Sequence, residues 1–411
     1  MKKSAALTIC AINYIPKALV LIDSYLLHHP DHTLYLVVVD RKVGAEQIND
    51  VLKTRRLKVI WVEDLGLNNF PNYAFMYDII ELNTNVKPYA IRKILNEHDV
   101  VVYLDPDIKV YAPLTPVFEA LETAAIVVTP HSNTPVMDGC KPDDMDLLKF
   151  GVYNLGFIGL SSCEESNLFL DWWSDRCLQT GFYEPQLGLG VDQKWVGLAS
   201  GFFPSFRVIN DVGLNVAFWN LHERRLSQHQ GKWLVNYEKE LRFFHFSSFN
   251  PNMPDQIAHK QNRFPKGARL DFNELAIAYA TELLSNSNQQ IEQVPYGFDY
   301  FEGGVYITPA LRRFYAALRL SIFAEEKNPF SSNSSVMKFA KRHSLINKNN
   351  KPSRRHTFQD ANNYSFQIKV INKMLRLLLF VLGPERYFNL MRYLAHISSL
   401  LNQAGLFSDK P

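Results

Sequence analysis

The feature that most constrains this chain is a series of short apolar runs, each of which stops abruptly at a polar residue or a helix-like stretch. Residues 5–12 form one such run and lead into helical spacing over 15–28; residues 34–39 stop at Asp40, and residues 100–104 stop at Asp105. A strand that is apolar on both faces belongs inside a sheet covered on both sides. Further strands are expected at 57–62, 125–129, 152–160 and 241–246, with helices over 84–97 and 164–179. This alternation predicts an α/β fold with a mostly parallel, twisted sheet flanked by helices.

Composition agrees with a large folded body. Hydrophobic residues make up 47% of the 411 residues, enough to fill a core, and the 13% aromatic content suits either core packing or a sugar-handling cleft. The net charge of +3 conceals a division. Residues 1–330 hold 31 Lys/Arg against 38 Asp/Glu, whereas residues 331–411 hold 13 against 3. The spacing of turn and breaker residues divides the chain into a body over 1–284, an aromatic and helical extension over 285–327, a basic flexible linker over 328–363 and a helical appendage over 364–411. In the last of these, 368–382 and 387–401 read as amphipathic helices separated by Gly383-Pro384. They are expected either to rest on anionic lipid or to pack as a hairpin on protein. Nucleic acid is not an expected partner, since the body is acidic and no recognition module is present.

Cys10, Cys140, Cys163 and Cys177 have no metal-finger spacing and read as the thiols of a cytoplasmic protein. The run after Met1-Lys2-Lys3-Ser4 reads as a first buried strand in preference to a signal peptide. No segment has the length of a membrane span.

The chemistry centres on Asp105-Pro106-Asp107. An apolar strand delivers two carboxylates to its carboxyl end, which is the ligand-binding edge of open α/β sheets. Paired carboxylates there suit a divalent cation shared with a phosphate group. The same three residues also read as a plain strand-to-turn transition. Other chemistry is disfavoured: the first strand is followed by Ile12-Asn13-Tyr14-Ile15-Pro16, without the glycines that a triphosphate or dinucleotide loop needs.

Ordered motifs add to this reading. Tyr103-Leu104-Asp105-Pro106-Asp107, then Asn154-Leu155-Gly156, then Asp192-Gln193, then His245-Phe246 together resemble the glycogenin-like, family 8 glycosyltransferases, and more loosely the related bacterial polysaccharide enzymes. The resemblance spans roughly residues 5–250 and implies a GT-A fold with a nucleotide-sugar donor, such as a UDP-sugar, and a saccharide or lipid-linked glycan acceptor. It implies Mn²⁺ (or Mg²⁺) held by Asp105, Asp107 and His245. Asn154, Asp192 and Gln193 are then expected near the transferred sugar, with retention favoured. Thr8, Asn13, Tyr14 and Asp40 would cradle base and ribose, and Lys87 would contact the donor. One departure stands out: no lysine follows His245 closely to grip a diphosphate, and Lys260 or Arg263 is the expected replacement. The segment 215–224 is a candidate acceptor wall, although packing suits Phe218 and Trp219 better. A scaffold that binds glycans without turnover, and a sugar nucleotidyltransferase, are the competing functions.

Overall fold

The computed structural model describes residues 2–42, 46–53, 55–352 and 365–407. The chain divides into two compact units, Met1–Phe70 with Ile79–Gly297, and Pro71–Asp78 with Phe298–Pro411.

The first unit is built on a seven-stranded sheet. Its strands are β1 (Ser4–Cys10), β2 (Thr33–Val38), β3 (Lys58–Trp61), β4 (Val100–Leu104), β6 (Ile126–Pro130), β7 (Tyr153–Ser161) and the edge strand Phe206–Val208. Their spatial order is Phe206–Val208, β6, β7, β4, β1, β2, β3. All neighbours are parallel except β7, which runs antiparallel to both β4 and β6. The expected α/β class with a mostly parallel, helix-flanked sheet is therefore present. Because β7 runs backwards, its first residues lie at the same edge as the carboxyl ends of β1, β2, β4 and β6.

The helix Ile15–His28 shows how the core forms. Ala18, Leu19, Ile22 and Tyr25 recur on one face and are buried against Leu36 and Val38 of β2 and Val102 of β4. Each of the larger aliphatic side chains, Leu19 and Ile22, contributes about 1.5–3 kcal/mol when taken from water. The expected single helix over 84–97 is in fact two, Ile79–Asn85 and Lys87–Leu95. Pro88 sits in the first turn of the second, where its missing N–H costs nothing.

In the second unit Arg312 is the central staple. Its buried guanidinium donates to the carbonyl oxygens of Ala74, Phe75 and Tyr77 and to the Asp299 carboxylate, tying residues 71–78 to a distant stretch of chain. The expected flexible linker is corrected here. Within it, helix Ser335–Arg342 is capped by Ser334 and buries Val336, Met337 and Phe339. Its Ser and Asn residues act as caps and turn formers, so their abundance imitates linker composition. Residues 353–363 of that expected linker, and the first residue of the expected appendage, lie outside the described residues. Helix Ser365–Ile397 covers the first expected helix, and the second as far as Ile397, with Gly383 at φ 73° breaking its regularity. Among the described residues no helix is long and apolar enough to cross a membrane.

Candidate metal centre and adjoining cavity

The backbone builds this site from two pairings. At the end of β4, Ile108 N–H donates to Asp105 O, closing a turn with Pro106 at its second position. The strand-to-turn reading and the ligand reading of Asp105-Pro106-Asp107 thus describe one object. Beyond the turn, β5 (Ile108–Val110) pairs antiparallel with Phe243–His245, setting His245 opposite Ile108. Phe246 N–H then donates to Asp107 O at 2.9 Å. Phe244 and Phe246 bury in one apolar cluster, and Phe243 enters another. Alternation along the strand puts His245 on the side of Phe243, towards β7.

One oxygen or nitrogen each of Asp105, Asp107 and His245 lies within 4.8 Å of the others. His245 Nε2 is 3.0 Å from an Asp107 oxygen and 3.6 Å from one of Asp105. Burial works against charge on the imidazole, but the two carboxylates outweigh it and raise its pKa. The carboxyl of Asp107 is lowered in turn: burial opposes this, and His245 overrides it. The cluster therefore draws positive charge to its centre.

The far side of His245 is held by a chain of amides. Its Nδ1 is 3.2 Å from Asn154 Oδ1, which also accepts from Gly156 N–H and Asn215 Nδ2. Asn154 Nδ2 in turn donates to His131 Nε2, leaving His131 Nδ1 to face Val152 O. Burial pushes His131 down to about 4, so its ring is neutral and Nε2 accepts. This polarity places a proton on His245 Nδ1 and leaves Nε2 as the ring nitrogen that faces the carboxylates. Gly156 is required sterically, because a Cβ there would lie 2.3 Å from His245 Cε1.

Beside the triad is a cavity of about 130 Å³, lined by Lys87, Asp105, Asn154, Gly156, Asp192 and Gln193. The structure thus brings together most of the expected donor-sugar residues. Their engagement differs from the expectation. Asp192 opens the helix Gln193–Phe202 but does not cap it with its side chain. Instead its carboxylate pairs with Lys87 Nζ at 2.5 Å, and both groups are buried. Lys87 Nζ also donates to Leu155 O and lies 4.1 Å over the Tyr103 ring. Burial raises the Asp192 carboxyl, with the Lys87 ammonium working against it. Gln193 accepts from Leu155 N–H and donates to Phe150 O, so both ends of its amide hold backbone.

Among the expected nucleoside contacts, Asn13 and Tyr14 lie half-buried in the turn that leaves β1. Burial, then the carboxylates of Asp107 and Asp105, raise the Tyr14 phenol, which ties Tyr14 to the triad. Thr8 is fully buried within β1. Asp40 is also buried and accepts from the N–H groups of Ile12, Arg41 and Gly297.

Two expectations are corrected. Arg263 cannot replace the missing lysine, since its guanidinium is bound to Asp138 and to the carbonyl oxygens of Cys140 and Pro142. Lys260 is exposed on the same loop. The segment 215–224 is a buttress and not an open wall. Asn215 bonds Thr129 and Asn154, the Trp219 and His245 rings meet edge to face with centroids 5.1 Å apart, and buried Arg224 donates to Val212 O and Leu214 O.

Sequence reasoning quoted Tyr103 in its motif but gave no role to its hydroxyl, which donates to Asp105 at 2.5 Å, and it assigned no role to His131 or Lys17. His131 directly follows β6 at the ligand edge, which was its one available signal. Lys17, in the first turn of helix Ile15–His28, is exposed, lies 4.6 Å over the Tyr14 ring and acts electrostatically on Asp107.

No family model matches the chain. It is 25% identical over 251 residues to the uncharacterized protein YfnF of Bacillus subtilis, spanning 60% of this chain and 82% of that one. Uncharacterized YfnD of the same organism is 23% identical over 247 residues, spanning 59% and 76%. Among solved structures, galactosyltransferase LgtC with donor and acceptor sugar analogs is 17% identical, covering 70% of this chain and 98% of that one at a TM-score of 0.42. Glycosyltransferase GlyE of Streptococcus pneumoniae is 15% identical, covering 74% and 67% at 0.40.

Proposed function

We propose that this chain is a metal-dependent glycosyltransferase of GT-A type, moving a sugar from a nucleoside-diphosphate donor to a saccharide or lipid-linked glycan. The observation that carries the reading is the convergence of Asp105, Asp107 and His245, with His245 oriented through Asn154 and the small polar cavity alongside. Two carboxylates and one imidazole are a fitting donor set for Mn²⁺, or with weaker preference Mg²⁺. When bound, the cation would supply charge neutralisation at the departing diphosphate.

The protein's own groups have separate tasks in this proposal. Tyr103 orients Asp105, and Asn154 orients His245. Asn13 and Tyr14 face the nucleoside, while Asp40 and Thr8 shape the strand ends beneath it. Asp192 and Gln193 border the sugar, and Lys87 holds Asp192 in place. In place of Lys260, we assign the diphosphate contact to Lys17, which makes no ion pair among the described residues, lies over the Tyr14 ring and acts electrostatically on Asp107.

The test is hydrolysis or transfer of nucleotide-sugars, UDP-sugars first, with and without Mn²⁺. Mn²⁺-dependent sugar release supports the proposal. A protein that neither binds nor turns over any nucleotide-sugar with Mn²⁺ contradicts it. Because Asp192 and Gln193 are already engaged, the scaffold reading stays in contention, and donor binding without turnover across an acceptor panel would select it. For Lys17, Lys17→Ala should weaken donor binding about 10-fold, as loss of a charge-assisted hydrogen bond does. Its Mn²⁺ affinity should not fall, and Lys260→Ala should leave the donor affinity unchanged.

A further inference from the structure

The helix Ser365–Ile397 carries a surface that the fold does not use. At 100° per residue, Val370, Met374, Leu377 and Val381 share one face of its first half, and all four are exposed, from 41% to 69%. Lys369, Lys373 and Arg376 share an adjoining face, about 100° round the helix, with Asn372 beside them. In the second half Glu385, Asn389, Arg392 and His396 form a polar face, opposite Leu390, Leu394 and Ile397. Gly383, with φ 73°, breaks the helix between the halves and lets each present its own apolar face.

The segment after the helix is anchored. Leu400–Phe407 folds back, and the Phe407 ring packs edge-on against Phe314 and Phe339, 4.8 and 4.9 Å away. The second unit thus holds the distal end while the apolar side of the helix lies open. Exposed apolar area of this extent marks an interaction surface.

Charge selects the occupant. Residues 365–397 carry five Lys/Arg and one Asp/Glu, and three of the basic residues line one face. A broad apolar face beside a cationic one fits the boundary of an anionic bilayer, where hydrocarbon takes one face and headgroups the other. No described helix is long and apolar enough to span. We propose that this helix lies in the interface of an anionic lipid bilayer and docks the protein there. A second copy of the chain fits less well, because pairing the apolar faces would bring the flanking cationic rows of two chains together. The proposal rests on the tail alone, independent of the sugar-transfer reading.

The test is co-sedimentation of the full chain with phosphatidylglycerol-containing and pure phosphatidylcholine vesicles. Binding should require phosphatidylglycerol and weaken at high salt. The triple variant Lys369→Glu/Lys373→Glu/Arg376→Glu should bind about 100-fold more weakly, at about fivefold per basic residue lost. Leu377→Asp/Val381→Asp should also release the protein. Both variants should keep the thermal stability and Mn²⁺ affinity of the parent, which separates this proposal from failure of the candidate active site. Equal binding to both vesicle types, no binding to either, or a dimer that the apolar variant dissociates would overturn it.

Discussion

Two charged clusters sit at the same edge of the central sheet and differ in how their charge is met. Lys87 and Asp192 form a closed pair, each buried and neutralised by the other. Asp105, Asp107 and His245 form an open one, in which two carboxylates share a single imidazole and draw positive charge inward. The closed pair is architecture: it joins the start of helix Lys87–Leu95 to that of helix Gln193–Phe202. The open cluster keeps an excess of negative charge that an added cation would balance. The difference teaches that a buried charge near a ligand edge identifies a binding site only when its compensation is incomplete.

The largest expected effect tests the closed pair. Lys87→Met leaves Asp192 buried without its partner and should destabilise the protein by about 3–5 kcal/mol, read by urea unfolding. Lys87→Met/Asp192→Leu should recover much of that loss. If the single variant is neutral, the pair is not closed as described.

Acidification should act through the amide chain behind the open cluster. His131 is held down to about 4 by burial, whereas an unfolded histidine takes a proton below about 6.5. The unfolded chain therefore binds more protons between those values, and stability should fall as the pH drops from 6.5 to 4, by roughly 3 kcal/mol. His131→Phe should flatten that part of the pH profile of unfolding.

Gly156→Ala should cost about 1–3 kcal/mol, as overpacking does, since the new methyl meets the His245 ring. Its sharper effect should be weakened Mn²⁺ binding, visible by calorimetry. The smallest stability change is expected at the open cluster itself. Asp105→Asn removes one of two neighbouring carboxylates and should shift metal-free stability by under about 1 kcal/mol, with melting temperature as the readout. A loss comparable to that of Lys87→Met would erase the distinction between the clusters.

The same contrast explains what was legible in the sequence. Asp105 and Asp107 stand one residue apart after a five-residue apolar strand, so their delivery to the sheet edge follows from local pattern. His245 was found because the phenylalanines around it mark a strand and the ordered motifs upstream gave it company. The Lys87–Asp192 pairing joins residues 105 positions apart, and no periodicity encodes it. Lys87 therefore read as an open donor contact and Asp192 as a residue beside the transferred sugar. The Gln193 amide was likewise invisible as a backbone clamp. In 328–352, cap and turn residues looked like a linker because composition does not reveal that Val336 and Met337 meet a core. The tail helices were legible, since their 3.6-residue pattern and the Gly383-Pro384 break are both local.

The central claim is that the open cluster binds a divalent cation, and Mn²⁺ titration followed by electron paramagnetic resonance tests it most directly. The account predicts loss of the free-ion signal in proportion to protein, and no such loss in Asp107→Ala or His245→Ala variants that keep the parent's melting temperature. Equal Mn²⁺ uptake by the parent and both variants, or none by the parent, would contradict it.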